Sequence, residues 1–236
     1  MRILLALLTA GLVVGCTPGR GGGSGSSSDD DDSASDDDDA TDDDDAVDDD
    51  DATDDDDASG NAWPTSQAPA GYAGTGGAVG DFAYDMAVMD QFGSSATLTQ
   101  FYGAFVLVQF CSVWAGPCRA VGGDLQALHD SVEGFSSDWE FFVVTVLIES
   151  ANFTSAGVGD AAAWALDYGL TEPVLVSPSS GQFMTQWDVA AYPTYFLLDP
   201  EFRIMDILIG GSVSAGWVQQ HAADFVSANP GWTTPL

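Results

Sequence analysis

Two nearly unbroken apolar runs, residues 105–110 (Phe-Val-Leu-Val-Gln-Phe) and 140–148 (Glu-Phe-Phe-Val-Val-Thr-Val-Leu-Ile), constrain this chain more than any other feature. A strand with one wet face alternates apolar and polar residues, whereas a strand covered by helices on both faces does not need to. Both runs are therefore expected as central strands. Between them Val121, Leu125, Leu128 and Val132 recur at helical spacing, so a helix is predicted over 118–132, weakened at Gly122 and Gly123. A second helix is predicted over 160–168, ending at Gly169, and a short strand over 174–176. Residues 195–198 and 204–209 read as a hairpin across Asp199, Pro200 and Glu201, and residues 217–226 as a closing amphipathic helix. This order predicts an α/β domain with one mixed sheet, helices on both faces and an antiparallel edge.

Charge divides the chain. Of 37 acidic residues, five blocks of four aspartates hold 20, at 29–32, 36–39, 42–45, 48–51 and 54–57. The other 17 lie beyond residue 80, where only Arg119 and Arg203 oppose them and leave −15; the chain has no lysine. With only 4 basic residues in total, nothing resembles a phosphate-binding surface, which excludes nucleic acid as a partner class. The aspartate blocks lie between Gly/Ser-rich residues 19–28 and Gly/Pro/Ala-rich residues 60–77. No part of this region offers a core, and like charges hold such a chain extended. About 60 residues reach on the order of 200 Å at full extension. Carboxylates are hard-oxygen ligands, so loose divalent cation binding is the sharper alternative to a plain spacer, but the blocks lack the glycine and closing glutamate of an EF-hand loop.

The N-terminus carries Arg2 and an apolar run over 3–14, short for a membrane span and suited to a secretory leader. Val13, Val14, Gly15 and Cys16 resemble the lipobox of bacterial lipoproteins, in which the cysteine is acylated and becomes the first mature residue. This resemblance implies lipidation of Cys16 and attachment to a membrane in the bacterial cell envelope. Thr17, where Asp would favour inner-membrane retention, points to the outer membrane. An ordinary leader with a chance cysteine is the alternative. The expected organisation is a leader over 1–15, a disordered tether over 16–78, one folded domain over 79–228 and a tail over 229–236.

After the first central strand come Phe110, Cys111, Ser112, Val113, Trp114, Ala115, Gly116, Pro117, Cys118 and Arg119. This segment resembles the thioredoxin active site, Trp-Cys-Gly-Pro-Cys-Arg, with Ala115 replacing the first cysteine. Tyr192, Pro193 and Thr194 match the cis-proline loop of that fold. Gly80, Ala83, Asp85, Asp90, Gly93, Leu98 and Gly103 fit the N-terminal segment of the redoxin group. That group comprises thiol-disulfide oxidoreductases and the alkyl hydroperoxide reductase/thiol-specific antioxidant proteins. The resemblance runs from residue 79 to about 227 and implies a thioredoxin-like fold with a redoxin-type N-terminal extension.

The implied activity is thiol-disulfide exchange with envelope proteins bearing thiols or disulfides. It implies Cys118 as principal thiol and Trp114, Gly116, Pro117, Tyr192, Pro193 and Thr194 as substrate-binding residues. Ala115 cannot attack a disulfide, and Gln109 stands where many thioredoxins have a buried carboxylate, so the usual dithiol mechanism is not expected. Cys111 shares a strand face with Gln109, and in the family that face lies under the start of the active-site helix. Cys111 is thus the candidate partner of Cys118, the alternative being two small buried hydrophobes. A binding module for extended peptides that has lost turnover is a second reading. Thiol-dependent peroxidase chemistry ranks lower, because no Pro-x-x-Thr/Ser-x-x-Cys pattern precedes either cysteine. No cofactor or metal is implied: His129 and His221 have no second histidine or cysteine at helical spacing and read as surface or half-buried filler.

Overall fold

The computed structural model describes residues 63–177 and 180–232. The expectations for the leader, Cys16 and the aspartate blocks fall on residues 1–62, outside the described residues.

Both apolar runs form strands, and they pair in parallel. Strand β3 (Phe105–Cys111) aligns with β4 (Phe141–Leu147) from Phe105 opposite Phe141 to Cys111 opposite Leu147. β5 (Val174–Val176) continues the parallel set beside β4. On the other side β6 (Thr194–Leu198) runs antiparallel to β3, and β7 (Ile204–Ile209) antiparallel to β6, the expected hairpin. Two three-residue strands absent from the sequence reading, β1 (Ala87–Met89) and β2 (Ser95–Thr97), complete a seven-stranded sheet in the order β2-β1-β5-β4-β3-β6-β7. Gln91 links β1 to β5 with its side chain. Its Oε1 accepts the Val174 N–H at 2.9 Å and its Nε2 donates to the Glu172 carbonyl at 3.2 Å.

Alternation along β3 divides the core. Phe105, Leu107 and Cys111 enter one apolar layer with α1 (Gly116–Gly122), α2 (Asp124–Glu133), α3 (Val158–Tyr168) and α5 (Ala215–Ala228). Val106, Val108 and Phe110 enter the other, with α4 (Ser180–Gln186) and residues of the N-terminal segment. The single helix expected over 118–132 is two helices meeting at Gly123. Gly122 is required by packing: a Cβ there would stand 2.8 Å from the Tyr168 ring, so its absence lets α3 close onto the junction. Gly169, with φ of 63°, ends α3 as expected.

Residues before the boundary expected at 79 also contact the folded part. Trp63 donates its indole N–H to buried Asp90 at 2.9 Å and stacks on Phe92. The Tyr72 hydroxyl donates to the Ala83 carbonyl, and its ring meets Phe82, Tyr102 and Phe202 edge-on. A Cβ on Gly77 would meet the Trp187 backbone at 2.6 Å. The composition of residues 63–78 is that of a linker, but two aromatic anchors pin it. The tail also packs, through Trp232 against Phe105 and Phe225.

Burial raises the carboxyl groups of Glu140, Glu172 and Asp199, the last two most. Glu172 is pushed up to about 7 by burial, with Glu133 and Asp130 adding to the rise and the Val143 N–H opposing it. Asp199 is pushed up to about 6 by burial, against stabilising N–H groups of Arg203 and Glu201. The folded state therefore keeps protons on these groups that the unfolded chain releases above about pH 4, so their contribution to stability is fullest below that pH and declines as pH rises towards 7. Denaturant unfolding between pH 4.5 and 8 is expected to show this decline, on the order of 2 kcal/mol from Glu172. Glu172→Gln, which retains an acceptor for the Val143 N–H, should remove the Glu172 share and leave that of Asp199.

Candidate functional site

The site forms where β3 ends. Cys111 is the last residue of that strand, residues 112–115 turn the chain, and α1 begins at Gly116 with Pro117 in its first turn. Proline suits that position because its missing N–H would have no intrahelical partner. Cys118 follows one residue later, and Cys111 and Cys118 form a disulfide, with Cα atoms 5.8 Å apart and a sequence separation of 7. Both cysteines are fully buried within the helix-rich core layer. Ala115, in the place of the first cysteine of the motif, is also buried and provides the backbone N-cap of α1.

Hydrogen bonds hold the turn from several directions. The Ala115 N–H donates to the Ser112 carbonyl at 3.0 Å, and the Val113 N–H to the Glu149 carbonyl at 2.8 Å. Arg119 reaches back to donate to the carbonyls of Val113 at 3.0 Å and Trp114 at 2.7 Å. Trp114 donates its indole N–H to Glu149 Oε2 at 2.7 Å and keeps 36% of its surface exposed. Gly116 and Pro117 are exposed beside it.

The second expected segment stands against the first. The Tyr192–Pro193 peptide bond is cis. Tyr192 meets Trp114 edge-on, with centroids 6.2 Å apart, and its hydroxyl donates to Met184 Sδ at 3.0 Å. Burial raises the Tyr192 pKa, and the Glu149 charge adds to the rise. Thr194 opens β6 opposite Phe110, and its hydroxyl donates to the Ala191 carbonyl at 2.7 Å.

Proton chemistry under the disulfide is limited. Gln109 is buried, donates to the Tyr195 hydroxyl at 3.1 Å and accepts from Thr145 at 3.3 Å. Gln109 cannot ionise, and burial pushes Tyr195 up to about 12, so this network is neutral at ordinary pH. The histidines lie elsewhere, each beside a carboxylate: His129 Nε2 is 3.4 Å from Glu172, and His221 Nε2 is 3.2 Å from Asp206.

With this geometry in view, a sequence profile described as the AhpC/TSA family matches residues 79–207. The chain belongs to the AhpC/TSA family. The "Thioredoxin-like protein YneN" of Bacillus subtilis (strain 168) is 27% identical over 133 residues, which is 56% of this chain and 71% of that protein. Among solved structures, the thioredoxin domain of a thiol-disulfide oxidoreductase from Bacteroides vulgatus superposes with a TM-score of 0.51 at 20% identity, covering 63% of this chain and 98% of that one. A thiol:disulfide interchange protein from Bacteroides sp. gives a TM-score of 0.51 at 18% identity, covering 65% of this chain and 93% of that one. These likenesses show a thioredoxin-like fold.

Within this AhpC/TSA domain the structure brings together Cys111, Cys118, Trp114, Gly116, Pro117 and the loop of Tyr192, Pro193 and Thr194. Cys16 lies outside the described residues. The sequence reading did not single out Glu149 or Phe153, although both touch Trp114. The available signal was a lone bulky aromatic in a run of Ser, Ala, Asn and Thr after a central strand.

A disulfide closing so short a loop removes little unfolded-chain entropy, so its loss should cost about 2.5 kcal/mol, or roughly 5–10 °C in Tm. Thermal unfolding with and without reductant, and of Cys118→Ser, is expected to show this drop. Peptide mapping of unreduced protein should recover Cys111 and Cys118 linked.

Proposed function

We propose that this chain is a lipid-anchored thiol-disulfide oxidoreductase of the bacterial cell envelope, with Cys111 and Cys118 as its redox pair. The observation carrying this reading is their disulfide, at the strand-to-helix turn that the cis-Pro193 loop adjoins. Exchange needs only two further thiols on a partner protein. A partner thiolate attacks one sulfur of the pair and the other leaves as thiolate; the partner's second thiolate then resolves the mixed disulfide. The partner dithiol is oxidised to a disulfide and the Cys111–Cys118 pair is reduced; the reverse sequence reduces a partner disulfide. Trp114, Gly116, Pro117, Tyr192, Pro193 and Thr194 bind the partner segment. Acylated Cys16 holds the protein at the outer membrane, and the aspartate blocks serve as a spacer that takes up divalent cations loosely. Envelope proteins with accessible thiols or disulfides are the partners.

A second reading is a peptide-binding module without turnover. It is favoured by the full burial of both cysteines and by Ala115 in place of an attacking thiol.

Reduction of insulin by dithiothreitol, catalysed by the full chain, separates these readings. Slow turnover is expected, falling about tenfold or more in Cys111→Ser and in Cys118→Ser, and rising in Ala115→Cys, which restores a thiol one helical turn before Cys118. Turnover indifferent to both serine changes would remove the redox role; no turnover with retained peptide binding would establish the module.

A further inference from the structure

Beside the disulfide, a tight loop displays an aromatic side chain that no packing need explains. Glu149 and Ser155 form an isolated antiparallel bridge, the Ser150 N–H donates to the Thr154 carbonyl at 2.7 Å, and the Phe153 N–H donates to the Ser150 carbonyl at 3.2 Å. Phe153 sits in this loop at φ of 61°, a left-handed conformation that bulky residues adopt at a cost. It is 67% exposed, and neither Phe153 nor Trp114 belongs to either apolar core layer. The ring stands 5.2 Å from that of Trp114, at 33° to it, so two exposed aromatic surfaces adjoin. Glu149 is at their edge, with Oε2 accepting the Trp114 indole N–H and Oε1 left for a second donor.

The net charge of the whole domain, more than that of this face alone, favours a cation from outside. Arg119 and Arg203 are the only basic residues after residue 20 apart from the two histidines, and both are engaged within the domain. Arg119 donates to the Val113 and Trp114 carbonyls, and Arg203 donates to the Gly80 carbonyl and lies over the Phe82 ring at 4.4 Å. Seventeen acids against these two leave the region at −15, which attracts positively charged partners and repels acidic ones.

We propose that Phe153, Trp114 and Glu149 form a specificity site for a lysine or arginine side chain in an extended segment of a partner protein, next to that partner's cysteine. The aromatic faces contact the cation and its aliphatic stem, and Glu149 Oε1 supplies the counter-charge. This assignment rests on the Trp114–Tyr192 face being the binding surface; it does not require turnover. An exposed cation–π contact and an exposed ion pair together give a preference of about tenfold over a neutral segment, weakening with salt.

Short extended peptides carrying a benzophenone, flanked by Arg, Ala or Glu, test this by photolabelling of the full chain at low and high salt. The Arg peptide is expected to label residues 149–155, Trp114 or Tyr192 about tenfold more than the Ala peptide, and the Glu peptide least. Phe153→Ala and Glu149→Gln should each lower that labelling about threefold while leaving far-UV circular dichroism and labelling of the aspartate blocks unchanged. Label confined to the aspartate blocks, equal labelling by the Arg and Ala peptides, or indifference to both substitutions would overturn the site. Loss of insulin reduction with labelling retained would strike the redox reading alone.

Discussion

The alternation of side chains along β3 is the constraint on which the rest of the structure depends. Every residue of this strand is buried, with Phe105, Leu107 and Cys111 on one side and Val106, Val108 and Phe110 on the other. A single-residue slip in register would send each side chain to the wrong layer, so the two cores fix the pairing with β4 and β6 together. The disulfide follows from that register. Cys111 faces the helix-rich layer because it is in phase with Phe105 and Leu107, and α1 starts only a short turn later on the same side.

The same phase brings Gln109 into that layer, where its amide joins Tyr195 and Thr145 in a buried network. An ionisable carboxyl at 109 would instead have faced a strong desolvation penalty, the effect that raises Glu172 and Asp199 elsewhere in the fold. The core under the disulfide is thus neutral, and the acidic character of the domain is confined to positions in contact with water or backbone donors. With no lysine, the guanidinium charges of Arg119 and Arg203 are, besides the two histidines, all that opposes those acids. The positive charge the domain has serves local chain geometry: Arg119 clamps the turn between the two cysteines, and Arg203 ties the β6–β7 hairpin to Gly80.

Legibility in the sequence followed burial. Strands β3, β4, β6 and β7 and helices α3 and α5 carry enough apolar periodicity to be read with bounds near those observed. β1 and β2 have three residues each, too few for a pattern, and they hold through pairing and the Gln91 bridge. Helix α4 has a poor helical sequence, with Ser180 and Gly181 at its start, and owes its place to Phe183 and to Trp187 just beyond it in the second core layer. The packed segment before residue 79 was hidden by composition, since two aromatic anchors among glycines, prolines and alanines do not alter an average. The two cysteines and the cis-proline loop were legible through family resemblance. Glu149 and Phe153 were not, because their meeting with Trp114 depends on how β4 ends and not on any spacing along the chain.

Burial of the disulfide determines what kind of chemistry it can support. An attacking thiolate must approach along the S–S axis, and neither cysteine presents surface to solvent. Access therefore requires part of the surrounding structure to move, and the turn over 112–117, which lies between the two cysteines, is held by identifiable bonds. They include the Arg119 clamp, the indole bond from Trp114 to Glu149, and the backbone bond from Val113 to Glu149. Two of these three end on Glu149, and Trp114 also carries the ring contacts to Phe153 and Tyr192. On the proposed function, a partner that engages Trp114 would act on the contacts that hold this turn in place.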